Sequence, residues 1–177
     1  MMKMRELIGF AGHQGSGKDS CADILVERRN FVKFAFADAV KTSCKTLFDL
    51  SDDQLWGDSK NTIDERYGQS PRQLMQKLGT DFVRQTVRQS FWIDKFAAWY
   101  EKTEKNVVVS DVRFQDEVDI IRKLGGKVYL VQRPCNPKQD FHCSEKSELL
   151  DVDDVISNDG SLVDLLVKIE KDFLRET

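Results

Sequence analysis

The sequence predicts an α/β fold, a five-stranded parallel sheet with helices on both faces. Three observations carry that prediction. Short apolar runs without polar alternation occur at residues 7–11 (LIGFA) and 106–111 (NVVVSD), and unbroken β-branched runs suit central parallel strands covered on both sides. Segments of helical periodicity alternate with such runs from one end of the chain to the other, which calls for right-handed crossovers. A glycine-rich turn, residues 12–17, joins the first strand directly to the first helix.

Taken in order, the first strand and its turn lead into a helix opened by Lys18, with Cys21, Ala22, Leu25 and Val26 on its apolar face through about Arg28. Residues 31–36 (FVKFAF) read as a second strand. Asp38 reads as an N-cap, with Val40, Cys44, Leu47 and Phe48 at helical spacing behind it. Residues 50–69 are polar and weakly periodic, so they predict a loop with at most a short helical turn near 53–56. Ser70 and Pro71 form a helix start, and Leu74, Met75 and Leu78 continue that helix to a stop at Gly79, with Thr80 or Asp81 capping another. Residues 91–100 are an amphipathic helix in which Trp92, Phe96 and Trp99 recur at core spacing.

The third strand ends in Asp111 and is followed by a helix over 114–124, stopped by Gly125-Gly126. Residues 127–131 (KVYLV) are a fourth strand. The connection 132–151 is long for a bare loop, which favours a lid. Residues 152–157 are a fifth strand, and the turn 158–161 (NDGS) opens a last amphipathic helix carrying Leu162, Leu165, Leu166, Ile169 and Phe173.

Composition narrows the class. A chain of 177 residues is expected to form one domain with a real core, and 40% hydrophobic with 32% charged residues is ordinary for a globular protein. The net charge of −3 argues against bulk binding to nucleic acid or membrane. The start, MMKMRELIGF, lacks the apolar core of an export signal, so a cytoplasmic location is expected and the four cysteines are expected to be reduced thiols. Cys135, His142 and Cys143 lack the paired spacing of a zinc site, and a zinc reading is rejected.

The chemistry concentrates at the first turn. Gly12, Gly17 and Lys18 fit the pattern G-x-x-x-x-G-K of a phosphate-binding P-loop, with Gly15, Ser16 and Ser20 inside the same stretch. Glycines let successive backbone N–H groups converge on one point, and the following helix aims its positive end there. Lys18 adds a full charge suited to the β- and γ-phosphates of ATP. Asp19 stands where most P-loops carry Ser or Thr as a magnesium ligand; it could approach the metal or simply stabilise the helix N-terminus. Because ligands bind beyond the carboxyl ends of parallel strands, Lys41, Asp111, Arg113, Arg133 and Asn158 are expected to gather near the loop. On the residues alone, Arg72 and Arg113 read as helix-surface arginines pairing with neighbours, and Trp92 reads as core.

With these residues in hand, the chain resembles the deoxynucleoside monophosphate kinases of tailed phages, within the P-loop nucleotide kinases. The matching pieces are GHQGSGKDS, RQLMQKLGTDFVR with Phe91-Trp92, VVVSDVRFQDE, VQRP followed by HCSE, and VISNDGS, in the family's order and over nearly the whole length. The resemblance implies a P-loop three-layer fold in one domain over residues 1–177, with a helical acceptor-binding region at about 50–105 and a lid at 132–151. It implies ATP- and magnesium-dependent phosphorylation of a deoxynucleoside 5′-monophosphate, with small nucleotides as partners and, for a phage-encoded chain, work in the host cytoplasm. Residues Gly12, Gly15, Ser16, Gly17, Lys18, Asp19 and Ser20 would hold ATP, with Asn158 and Gly160 beside the adenine. Lys41, Arg72, Gly79, Trp92, Asp111, Arg113 and Glu117 would hold the acceptor, with Arg66 a weaker match. Lys18, Asp111, Arg113 and Arg133 would serve the transfer itself. Two other readings stay open: a P-loop kinase for another phosphorylated acceptor, of the dephospho-coenzyme A or phosphomevalonate type, and a nucleotide-binding protein without catalysis. Assembly as a homodimer is also open.

Overall fold

The computed structural model describes residues 5–134 and 146–173. The chain divides into two compact units: Met1–Ala35 with Ala97–Thr177, and Phe36–Phe96.

The first unit holds the sheet. Its strands are β1 (Leu7–Ala11), β2 (Val32–Phe34), β3 (Val107–Val112), β4 (Lys127–Gln132) and β5 (Asp154–Ser157), all parallel and in the order β2-β3-β1-β4-β5. All of β1 and β3 is buried, as their unbroken apolar runs require. Alternation of side chains along β1 then divides the core. Ile8 and Phe10 face one side, where they pack with Cys21, Ile24 and Leu25 of α1 (Lys18–Arg29) and Leu165 and Ile169 of α7 (Leu162–Phe173). Gly9 faces the other, and a Cβ there would stand 2.8 Å from Ile121 Cδ1 of α6 (Gln115–Lys123). Gly126, entering β4, is packed closer still: a Cβ would lie 2.6 Å from the Leu7 carbonyl oxygen.

The second unit is helical. It contains α2 (Phe36–Phe48), α3 (Asp52–Trp56), α4 (Pro71–Gln76) and the start of α5 (Phe91–Glu101). Cys44, Leu50, Leu55 and Leu74 form its core, with Val40, Phe48, Met75 and Leu78 against them. Ser70 caps α4 as its sequence predicts, accepting from the Gln73 N–H while the Gln73 side chain accepts from the Ser70 N–H.

Three predicted boundaries are corrected. The second strand spans only 32–34, and Phe36, assigned to it from sequence, opens α2 and packs its ring 5.4 Å from that of Phe96. The stretch 50–69 is more ordered than its weak periodicity suggests. Ser51 and Gln54 form a capping box, and Asp64 accepts hydrogen bonds from Gln54 Nε2 (2.9 Å), Arg66 Nη2 (2.7 Å), Arg66 Nε and the Arg66 backbone N–H (both 3.0 Å). The helix begun at Pro71 does not stop at Gly79; it continues as a π-helix over Lys77–Val87. Gly79 has no left-handed backbone. It is glycine because the methyls of Val40 would stand 3.1 Å and 3.3 Å from its Cβ.

Two outcomes follow. Gly126→Ala drives a methyl against a backbone oxygen that cannot swing aside, and should cost about 1–3 kcal/mol in urea unfolding. The hydrogen bonds from Arg66 and then Gln54 hold the Asp64 carboxyl well below its usual range. A depressed carboxyl contributes stability above its unfolded pKa, about 4, and loses it as pH falls below that value. Asp64→Asn should therefore destabilise at pH 7 and lose that deficit in acid. A constant difference from wild type across the pH range, measured by unfolding midpoints, would contradict this account.

Candidate functional site

The site grows from the turn between β1 and α1. Gly12 leaves the strand with φ 146°, Gly15 follows at 79° and Gly17 enters the helix at 98°, all in the region glycine alone adopts freely. Space enforces the same choice. A Cβ on Gly12 would lie 2.6 Å from both the Val131 carbonyl oxygen and Ser16 Oγ, and one on Gly17 would lie 2.4 Å from Asn158 Nδ2. Nothing stands within 4 Å of a Cβ on Gly15, so the crest of the turn is open. The Ser16 N–H closes the turn on the His13 carbonyl at 3.2 Å. Lys18, only 6% exposed, returns over the loop and donates from Nζ to the same carbonyl at 3.2 Å.

One atom of this loop is unsatisfied. Ser16 is fully buried, and its hydroxyl has no hydrogen-bond partner among the described residues. A buried hydroxyl without a partner costs about 1–3 kcal/mol, so its place beside an open glycine crest is an invitation to a polar ligand.

Parallel strands bring the other candidates to the same edge of the sheet. Asp111 is buried near the end of β3, and Arg113 lies exposed just beyond it. Glu117 Oε2 accepts from the backbone N–H groups of Arg113 (2.7 Å) and Phe114 (3.2 Å). Glu117, expected to touch the acceptor, is thus 3% exposed and acts first as the brace of the Arg113 loop. Arg133 follows β4, exposed, with its carbonyl 3.4 Å from His13 Nε2. Asn158 follows β5; its backbone N–H donates to Gln132, and its buried side chain donates from Nδ2 to the Ser16 carbonyl at 2.8 Å. Asn158, expected beside the adenine, pins the glycine loop through this bond. Gly160 leaves room for Asp164 Oδ2, which would stand 2.6 Å from a Cβ there and accepts from Ser161 Oγ and N–H to cap α7.

Asp19 is exposed in the first turn of α1, with Oδ1 3.5 Å from Lys33 Nζ. Lys33, on β2, was missed from sequence; its only signal is a lysine between two strand apolars. The lid segment with Cys135, His142, Cys143, Ser144 and Glu145 lies outside the described residues.

The remaining candidates belong to the second unit. Lys41 is half-buried on α2, 3.8 Å from Asp38 and 5.6 Å over the Trp56 ring. Arg72 stands in the first turn of α4. Arg66, expected as a weaker substrate contact, is paired with Asp64 at 2.7 Å. Trp92 is core, 8% exposed, with its Nε1–H donated to the Gly79 carbonyl at 3.0 Å. It also lines a cavity of about 390 Å³ with Thr42, Ser43, Leu78, Phe91 and Lys95.

Removing the brace tests this geometry. Glu117→Ala leaves the Arg113 and Phe114 N–H groups without their carboxylate and should cost about 1–3 kcal/mol, read by chemical unfolding.

Comparison with known proteins places the chain in a family. The family model for deoxynucleotide monophosphate kinase matches residues 56–169. A protein of Acanthamoeba polyphaga mimivirus bearing that name is 40% identical over 154 residues, covering 78% of this chain and 80% of its own length. The deoxynucleotide monophosphate kinase of Enterobacteria phage T4 is 36% identical over 115 residues, 62% of this chain and 47% of the phage protein. The chain thus matches about half the length of that relative, and likewise 47% of the one from Escherichia phage RB69. Among solved structures, shikimate kinase from Aquifex aeolicus superposes with a TM-score of 0.58 at 12% identity, over 95% of this chain and 96% of that one. Dephospho-CoA kinase from Campylobacter jejuni gives 0.53 at 16%, over 97% and 96%. These two share the fold, and the sequence matches carry the rest. The chain belongs to the deoxynucleotide monophosphate kinase family.

Proposed function

We propose that this protein transfers the γ-phosphoryl group of ATP to the phosphate of a deoxynucleoside 5′-monophosphate, giving ADP and the deoxynucleoside diphosphate. The single observation that carries the donor half is the loop 12–18: three left-handed glycines, a buried lysine folded over them and an orphaned Ser16 hydroxyl. Backbone N–H groups of that loop and the N-terminus of α1 would bind the polyphosphate, and Lys18 would leave the His13 carbonyl for the β- and γ-oxygens.

The residues present fit magnesium in its usual manner. Hydroxyl and carboxylate oxygens, which magnesium prefers, lie beside the loop at Ser20 and near the end of β3 at Asp111. The protein oxygens we propose for it are those of Ser20 and Asp111, because Asp19 is engaged by Lys33. Bound there, magnesium would neutralise charge on the transferring phosphoryl group.

This chain's own residues do the rest. Arg113, held by the Glu117 brace, would fork onto the acceptor phosphate. Lys41 would add charge to the acceptor side, Arg133 to the donor side. The cavity walled by Trp92 and Phe91 would take an aromatic base, with Thr42, Ser43 and Lys95 at hand to read its polar groups. No general base is needed, since the acceptor is already an ionised phosphate. The mimivirus and phage relatives fit a virus-encoded enzyme acting on free nucleotides in the cytoplasm of an infected cell. No helix among the described residues is long and apolar enough to cross a membrane.

The test is a coupled ADP-release assay with ATP and magnesium against the four deoxynucleoside monophosphates and their ribo counterparts. Turnover of one or more deoxy forms is expected; turnover only with dephospho-coenzyme A or another acceptor would overturn the reading. Lys18→Ala should lower kcat/KM by about 100-fold or more while leaving the melting temperature close to wild type.

A further inference from the structure

The first two turns of α1 carry two carboxylates four residues apart, Asp19 and Asp23. Like charges at that spacing repel. Asp19 also follows Lys18 directly, at the edge of a loop built to receive a polyanion. A bare carboxylate there would oppose the function of the loop.

Lys33 resolves this conflict. Its Nζ lies 2.9 Å from Asp23 Oδ1 and 3.5 Å from Asp19 Oδ1. Backbone pairing of Lys33 with Val108 fixes its place on β2, so the ammonium is presented by the sheet and not by a mobile loop. The lysine side chain is 33% exposed, against 66% for Asp19. Burial works against its charge, yet the hydrogen bond to Asp23 and the charge of Asp19 outweigh burial and raise its pKa, so Lys33 stays protonated at neutral pH.

We propose that Lys33 is a positioning residue of the phosphate site: it draws the Asp19 carboxylate toward β2 and offsets part of its charge, so that the carboxylate opposes a polyanion in the loop less. Lys33 touches no nucleotide in this scheme; it acts through Asp19. The proposal rests on the reading of residues 12–18 as an ATP site.

The experiment is titration of the full chain with magnesium-ATP by calorimetry, alongside steady-state kinetics in ATP. Lys33→Met should weaken ATP binding about three- to tenfold, as an uncompensated charge close to a polyanion does, and raise KM for ATP by the same factor with kcat within about twofold. Lys33→Gln should behave alike and serves if Met is not tolerated at that position. Lys33→Arg should bind as wild type does. Adding Asp19→Asn to Lys33→Met should restore affinity, whereas adding Asp23→Asn should not. The loss should shrink at ionic strengths near 1 M, where exposed charges more than about 3 Å apart are largely screened. A folded Lys33→Met protein that binds ATP like wild type would overturn the proposal. So would a double variant with Asp19→Asn that binds more weakly still, because Asp19 would then be a ligand and not a liability. Failure of the folded wild-type chain to bind ATP would instead overturn the functional reading beneath it.

Discussion

The arrangement depends on a steric constraint: at Gly12 and Gly17 there is no room for a side chain. The Val131 carbonyl of β4 occupies the space beside Gly12, and the Asn158 amide occupies the space beside Gly17. These contacts come from β4 and from the residue that follows β5, so the glycine turn is shaped by the sheet as well as by its own Ser16, whose Oγ is equally close to Gly12. Asn158 shows the coupling most clearly. Its backbone N–H extends the pairing of β4 with β5, while its side chain holds the Ser16 carbonyl. The order β3-β1-β4-β5 is what sets these groups around the end of β1.

Charge around the cradle is managed in pairs. Lys18 is folded onto a carbonyl of its own loop, and Asp19 leans toward Lys33. Glu117 spends its negative charge on two backbone N–H groups, which orders the loop that carries Arg113. Charged residues adjacent in sequence thus have different partners: backbone groups for Lys18 and Glu117, a side chain for Asp19.

The second unit shows the same economy. Arg66 and Asp64 bind each other and the α3 capping box, which turns a polar, weakly periodic segment into a fixed wall. Gly79 admits Val40 at close range, and its carbonyl receives the Trp92 indole N–H, so the aromatic is both core and cavity lining. The wide winding of residues 77–87 accompanies this packing, in keeping with the association of π-helical turns with functional sites.

The sequence by itself determined the strand–loop–helix at residues 7–29, the buried strands β1 and β3, the Ser70–Pro71 helix start and the family. Each of these is a local matter: apolar runs, glycine spacing and caps are legible without knowing what lies across the fold. What only the tertiary structure decided are the partners. Whether Gly79 ends a helix or admits Val40, and whether Asp19 has a cation beside it, depend on residues distant in the chain; Glu117 and Arg66 find partners within four residues, yet only the folded geometry shows that they do. A carboxylate or glycine has the same letter in either role, and the choice is made by the neighbour that packing brings within about 3 Å, the range over which hydrogen bonds and close contacts act.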